Sequence, residues 1–198
     1  MSQLPPVPDA APLTDAEMAA ASVGGLTRLS GPIVLADSDP QWPVLFGREA
    51  RRLRALLGGR VLALSHVGST SVPGLCAKPI IDLDLTVADS ADEAAYLPEL
   101  EAAGYRLSVR EPDFHEHRVL KGPDTDINLH VWSPGSPEAT RHLIFRDWLR
   151  VNEADRQRYG ALKRELAQRP YAYVHQYNND KAALIREIYA RAVAARGG

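Results

Sequence analysis

The sequence predicts an α/β fold in the α+β sense: a mixed β-sheet flanked by helices, with a helical segment packed on it toward the C-terminus. Three observations carry that expectation. Residues 80–87 alternate strictly, with Ile81, Leu83, Leu85 and Val87 on one face and Asp82 and Asp84 on the other. Further segments of strand character flank this one, separated by helical patterns or by Pro, Gly and Asp turns. From Ser136 onward the apolar residues fall at helical spacing instead.

Taken in order, residues 1–12 are rich in Pro and Ala without periodicity and read as a mobile arm. Thr14 and Glu17 fit a capping box that opens a short Ala-rich helix, which Gly24-Gly25 ends. Residues 31–36 (GPIVLA) read as a short strand. Leu45, Phe46, Leu53 and Leu56 or Leu57 then mark a helix closed by Gly58-Gly59. Residues 60–66 read as a buried strand, 91–103 as a helix stopping at Gly104, and 105–109, 117–121 and 125–132 as three more strands. The sheet is expected to carry its helices on one side. Ile144, Trp148, Asp155, Tyr159, Leu162 and Leu166 suggest one helix running to Pro170. A second is expected from about Asp180 to Ala195, with Asn178-Asn179-Asp180 as its turn and N-cap. The resulting division is an arm over residues 1–30, an α/β body over 31–135 and a helical extension over 136–198.

Composition narrows the function classes. The 23 Lys and Arg nearly balance the 25 Asp and Glu, a net charge of −2, which weighs against nucleic acid and against an anionic membrane surface. The single cysteine, Cys76, can form neither an intrachain disulfide nor a thiolate metal site. The first basic residue is Arg28, and no apolar run approaches the roughly 20 residues that span a bilayer. A cytoplasmic protein is the expectation, its oligomeric state left open. Dinucleotide-fingerprint, P-loop and nucleophile-elbow motifs do not occur.

The chemistry concentrates between His66 and Val87. Gly68 and Ser69 follow a strand, where a glycine lets backbone amides approach an anion, and Ser69, Thr70 and Ser71 add hydroxyl donors. Asp82 and Asp84, two apart in a strand, present both carboxylates on one face. A hard divalent cation, Mg²⁺ or Mn²⁺, would relieve their repulsion. The expected division of labour gives phosphates to the loop and metal to the aspartates. Lys78 between the motifs could neutralise a phosphate. His115-Glu116-His117 lacks zinc spacing, so His117 and Arg118 are expected to line the cleft, Arg118 as a phosphate contact.

A Gly-Ser pair followed by Asp-x-Asp resembles the signature of polymerase-beta-type nucleotidyltransferases. The longer string HVGSTSVPGLCAKPIIDLDLTV is similar to the GrpB family within that superfamily. Glu116-His117-Arg118, Asn128-Leu129-His130-Val131 and Arg141–Asp147 resemble the same family, over roughly residues 31–195. The resemblance implies a third carboxylate on a later strand. Asn128 occupies the natural position as a neutral ligand, while Asp126 and His130 share its face. It also raises His142, Arg146, Lys163 and Lys181 from solvated helix charges to candidate ligand contacts. The implied activity is Mg²⁺-dependent transfer of a nucleotidyl group from a nucleoside triphosphate, with Asp82, Asp84, Asp126 and Asn128 as the catalytic set. The alternative is a non-catalytic module that binds a nucleotide or another phosphorylated small molecule on the same fold.

Overall fold

The computed structural model describes residues 4–7 and 11–197. Five strands form one sheet in the order β1-β2-β5-β4-β3: β1 (Ala63–Val67), β2 (Ile81–Thr86), β3 (Arg106–Glu111), β4 (His117–Lys121) and β5 (Ile127–Trp132). β2 and β5 run parallel at the centre, and every other pairing is antiparallel, so the sheet is mixed. Register sets the two faces. Asp82 stands beside Asn128 and Asp84 beside His130, while Leu83 stands beside Leu129. Because side chains alternate, β2 and β5 together make one apolar face and one polar face.

The apolar face is the main core. Ile81, Leu83, Leu85, Leu120, Leu129 and Val131 pack there against α2 (Gln41–Leu57) and α3 (Leu97–Ala102). The buried stripe of α2 is Trp42, Glu49, Ala50, Leu53 and Leu57, with Leu45 and Phe46 at its margin. The buried Glu49 accepts a hydrogen bond from the Tyr105 hydroxyl. Before α2, the short helix α1 (Asp15–Ala21) has the full capping box of Thr14 and Glu17.

The other face of the sheet is covered too, so the expectation of helices on one side does not hold. α4 (Pro137–Val151), α5 (Glu153–Leu166) and α6 (Val174–Gly197) close over its β1–β2 end. Asp155 ties the three together, accepting from Trp148 Nε1 at 2.7 Å and from Arg191 at 2.6 and 3.0 Å. No helix among the described residues is long and apolar enough to cross a membrane.

Several boundaries differ from the sequence expectation, each for a physical reason. Residues 31–36 form no strand, only an isolated bridge between Ala36 and Ala77. Pro32 removes a ladder donor, and Ile33 is drawn instead into a cluster with Leu166 and Tyr177. Residues 91–103 contain a 3₁₀ turn at Glu93–Ala95 and then α3, which Pro98 starts afresh in its first turn. The long helix expected up to Pro170 breaks at Asn152, whose side chain accepts from the Asp155 amide at 2.9 Å and caps α5. Asn178-Asn179-Asp180 is no cap but lies inside α6, where burial of Tyr177 and Lys181 outweighs the weak helix preference of asparagine. The expected mobile arm falls partly on residues 1–3 and 8–10, outside the described residues. Residues 4–7 are docked: Tyr189 donates to Pro5 O at 2.8 Å and Arg141 to Pro6 O at 3.1 Å.

Candidate functional site

β1 delivers the chain to Gly68, whose φ of +66° suits a residue without Cβ, and the next three residues make a 3₁₀ turn. The turn's hydroxyls have separate tasks. Thr70 Oγ1 donates to Ile80 O at 3.1 Å and accepts from His66 Nε2 at 3.1 Å. Ser71 Oγ donates back to Gly68 O at 2.6 Å. Ser69 alone turns its hydroxyl toward a helix, accepting from Lys163 Nζ at 3.0 Å. Burial, with Arg150 and Arg146 nearby, pushes His66 down to about 4, so its ring is a neutral donor.

Next to this turn lies a cavity of about 290 Å³ between the polar sheet face and the C-terminal helices. Asp82 forms part of its floor. Its Oδ1 accepts from Asn128 Nδ2 at 2.6 Å, and Lys121 Nζ donates to the same amide's oxygen. Burial raises the Asp82 carboxyl above the ordinary aspartate range, against the pull of Asn128 and Lys78. Asp84 lies deeper, only 4% exposed, and accepts from Trp132 Nε1 at 3.0 Å and from His142 Nδ1 at 3.0 and 3.1 Å. Burial opposes its charge, but the His142 cation and hydrogen bond bring the carboxyl below its usual value. The same contact raises His142.

These carboxylates do not fit a divalent cation as they stand. Such an ion takes about six oxygen ligands. Here Asp82 Oδ1 and both Asp84 oxygens already accept from N–H donors, leaving Asp82 Oδ2 against Gly68. Among the described residues no group of three or more His, Cys, Asp or Glu is arranged to hold a metal. Asp126 is exposed ahead of β5 and gives its carbonyl, not its carboxylate, to Ile81 N at 2.9 Å.

Cations dominate the rest of the cavity wall. Lys78 enters from the loop before β2, Arg146 from α4, Lys163 from α5 and Lys181 from α6. Arg146 is held by His66 O at 2.9 Å and by Asp147 at 2.8 Å. Lys163 Nζ also donates to Cys76 O and lies over the Tyr159 ring, 4.8 Å from its centroid. Burial pushes Lys163 down to about 8 and Lys181 to about 7, and lowers Lys78 as well. His130 completes the wall. Its Nδ1 lies 2.9 Å from His117 Nε2, and His117 Nδ1 lies 2.7 Å from Glu111.

The structure therefore brings Gly68, Ser69, Thr70, Lys78, Asp82, Asn128, His130 and Arg146 to one cavity. Five expected members lie elsewhere. Asp84 is sealed behind Trp132 and His142. Ser71 borders a separate cleft with Phe46, Arg150 and Arg156. Asp126 is outside the wall. Neither residue expected to line the cleft does so: His117 stands behind His130, with Nε2 2.9 Å from its Nδ1, and alternation along β4 turns Arg118 to the opposite face, where Glu93 accepts from its Nε at 2.6 Å. Lys163 and Lys181, raised only by the resemblance, are the strongest additions. Their sequence signal is a lysine four residues after a tyrosine on an otherwise apolar helix stripe: Tyr159 with Lys163 and Tyr177 with Lys181.

The family model described as GrpB protein matches residues 32–191. A UPF0157 protein of Halalkalibacterium halodurans is 54% identical over 194 residues, covering 96% of this chain and 100% of that one. A protein named dephospho-CoA kinase, from Mycolicibacterium paratuberculosis, is 32% identical over 187 residues, which is 81% of this chain but 46% of its own length. The crystal structure of conserved protein GrpB from Enterococcus faecalis matches with a TM-score of 0.74 and 32% identity, covering 83% of this chain and all of that one. By its sequence and its fold, this chain belongs to the GrpB family.

Proposed function

We propose that this protein binds a phosphorylated small molecule of the nucleotide class, with its phosphates in the cavity beside the Gly68–Ser71 turn. The observation that carries the reading is the charge of the wall. Lys78, Arg146, Lys163 and Lys181 converge on a space whose one lining carboxylate among the described residues is Asp82. Four basic side chains around a small cavity favour a ligand of high negative charge density, which phosphate supplies. Ser69 and Thr70 add hydroxyls, and the apolar wall of Val72, Phe145 and Leu149 offers a surface for the rest of the molecule.

Metal-dependent nucleotidyl transfer is the second reading, supported by Asp82 lying on the cavity floor beside the phosphate turn. Under it Asp82 and Asp84 would be the Mg²⁺ ligands, and His142 would first have to release Asp84. Calorimetric titration with ATP, GTP, CTP and UTP, each with and without Mg²⁺, tests both. The binding reading expects micromolar-range affinity that Arg146→Gln weakens at least tenfold. No binding of any of the four would remove it. Release of pyrophosphate in the presence of an acceptor would favour transfer over simple binding.

A further inference from the structure

Lys181 is only 9% exposed and points into the cavity. The Tyr177 ring lies beneath it, with Nζ 4.2 Å from the centroid. No hydrogen-bond acceptor or carboxylate among the described residues pairs with Nζ. The charged groups facing it are Lys163 from α5, Lys78 from the loop before β2, and Asp82 from β2. Two of the three repel an ammonium. A buried cation without a partner either loses its proton or waits for an anion.

The carboxylates beneath point the same way. A metal-assisted triphosphate site needs free carboxylate oxygens, and here Asp84 is spent on Trp132 and His142 while Asp82 is shared with Asn128. The neutralising charge comes instead from side chains that surround the cavity. Lys78, Arg146, Lys163 and Lys181 line a cavity of about 290 Å³, and that volume with four basic groups on its wall suits a chain of linked phosphates better than a single one.

We propose that the cavity takes a polyphosphate chain, as in a nucleoside triphosphate, without a divalent cation, and that Lys181 takes up a proton from solvent as the ligand seats. This rests on the phosphate-binding reading above and specifies its ligand and its charge balance. In the free protein Lys181 sits near 7, so above neutrality most molecules hold it as the amine. The ligand's negative charge then draws the proton in, and Nζ becomes the ammonium that completes the charge balance.

The test is calorimetry of the full chain with ATP at pH 8, in EDTA, in two buffers of different ionisation enthalpy. At that pH the terminal phosphate of ATP is already ionised. The expected result is binding that survives EDTA, with uptake of about one to one and a half protons per site, the larger share at Lys181 and the rest at Lys163. Inorganic tripolyphosphate should compete, since the seat is for the phosphate chain and not the base. Lys181→Met should weaken ATP binding at least tenfold and remove most of the proton uptake. Its unchanged or higher melting temperature would show that the loss is not unfolding. Binding that requires Mg²⁺, binding without proton exchange, or full affinity in Lys181→Met each overturns this inference and leaves the phosphate-binding reading standing. No binding of tripolyphosphate or of any of the four nucleoside triphosphates, with or without Mg²⁺, overturns both.

Discussion

Gly68 and Asp82 are in such close contact that a Cβ on Gly68 would stand 2.2 Å from Asp82 Oδ2 and 2.9 Å from both its Cβ and Cγ. The two halves of the sequence motif are thus one packed unit, the turn lying directly on the aspartate.

Gly68→Ala should therefore be costly twice over, through its φ of +66° and through the collision with Asp82. A loss of about 2–4 kcal/mol in denaturant unfolding is expected. Combining it with Asp82→Ala, which removes Oδ2 and Cγ, should recover part of that loss and leave the backbone strain and the 2.9 Å approach to the residue-82 Cβ. Strictly additive effects of the two substitutions would contradict the contact.

Glu93 gives a second, independent test on the opposite face. It accepts from Arg110 at 2.6 and 2.7 Å and from Arg118 at 2.6 Å, and Arg118 is buried. Hydrogen bonds from Arg110, then Arg118, hold its carboxyl down at about 2 against an ordinary value of 4.5. Since the folded value is depressed, the stabilisation is full above pH 4.5 and is lost as pH falls toward 2. Glu93→Gln leaves the buried Arg118 with only its longer contact to Glu116 at 3.4 Å, and about 2–3 kcal/mol of destabilisation is expected at pH 7. The gap between variant and wild type should narrow on acidification through that window. A gap that stays constant to pH 2 would count against the ion pair.

The lysine cluster predicts an unusual slope on the alkaline side. Lys181 and Lys163 bind protons less readily in the folded chain, near 7 and 8, than at their ordinary value of 10.5. Between those limits the unfolded chain holds more protons, so the stability of the ligand-free protein should rise with pH from about 7 toward 10. Melting temperature measured from pH 7 to pH 9 should climb by a few degrees. Lys181→Met should melt higher than wild type at pH 7 and show a shallower slope. A falling wild-type curve would refute the buried, unpaired lysine.

His130 should be a single tautomer. Glu111 can only accept as a carboxylate, so His117 donates from Nδ1, and with that ring neutral its Nε2 accepts from His130 Nδ1–H. His130 Nε2 is then a bare acceptor. Burial first, then the neighbouring His142, push the His130 ring down to about 3, so it stays neutral at physiological pH. Long-range ¹⁵N–¹H correlation should show one Nδ1–H species between pH 5 and 8, and Glu111→Ala should release it into a mixture. A wild-type Nε2–H signal would reverse the assigned direction of the chain.

What the sequence determined by itself is local. Alternation over residues 80–87 assigned the faces of Asp82 and Leu83 correctly, because a strand's period of two is a property of its own backbone. The Thr14–Glu17 cap was legible for the same reason, as its donors and acceptors lie within one turn. The resemblance named the family. Tertiary structure decided everything that depends on which faces meet. Asp84 was expected in the site beside Asp82, but only the docking of α4 shows that His142 seals it. Arg118 and His117 are chain neighbours, yet the register of β4 sends them to opposite sides of the sheet. Lys163 and Lys181 lie on different helices, and no periodicity within either reports that they close on the same cavity as Ser69. Spacing fixes where a side chain points from its own element, whereas its burial, charge state and partners come from elements far away along the chain.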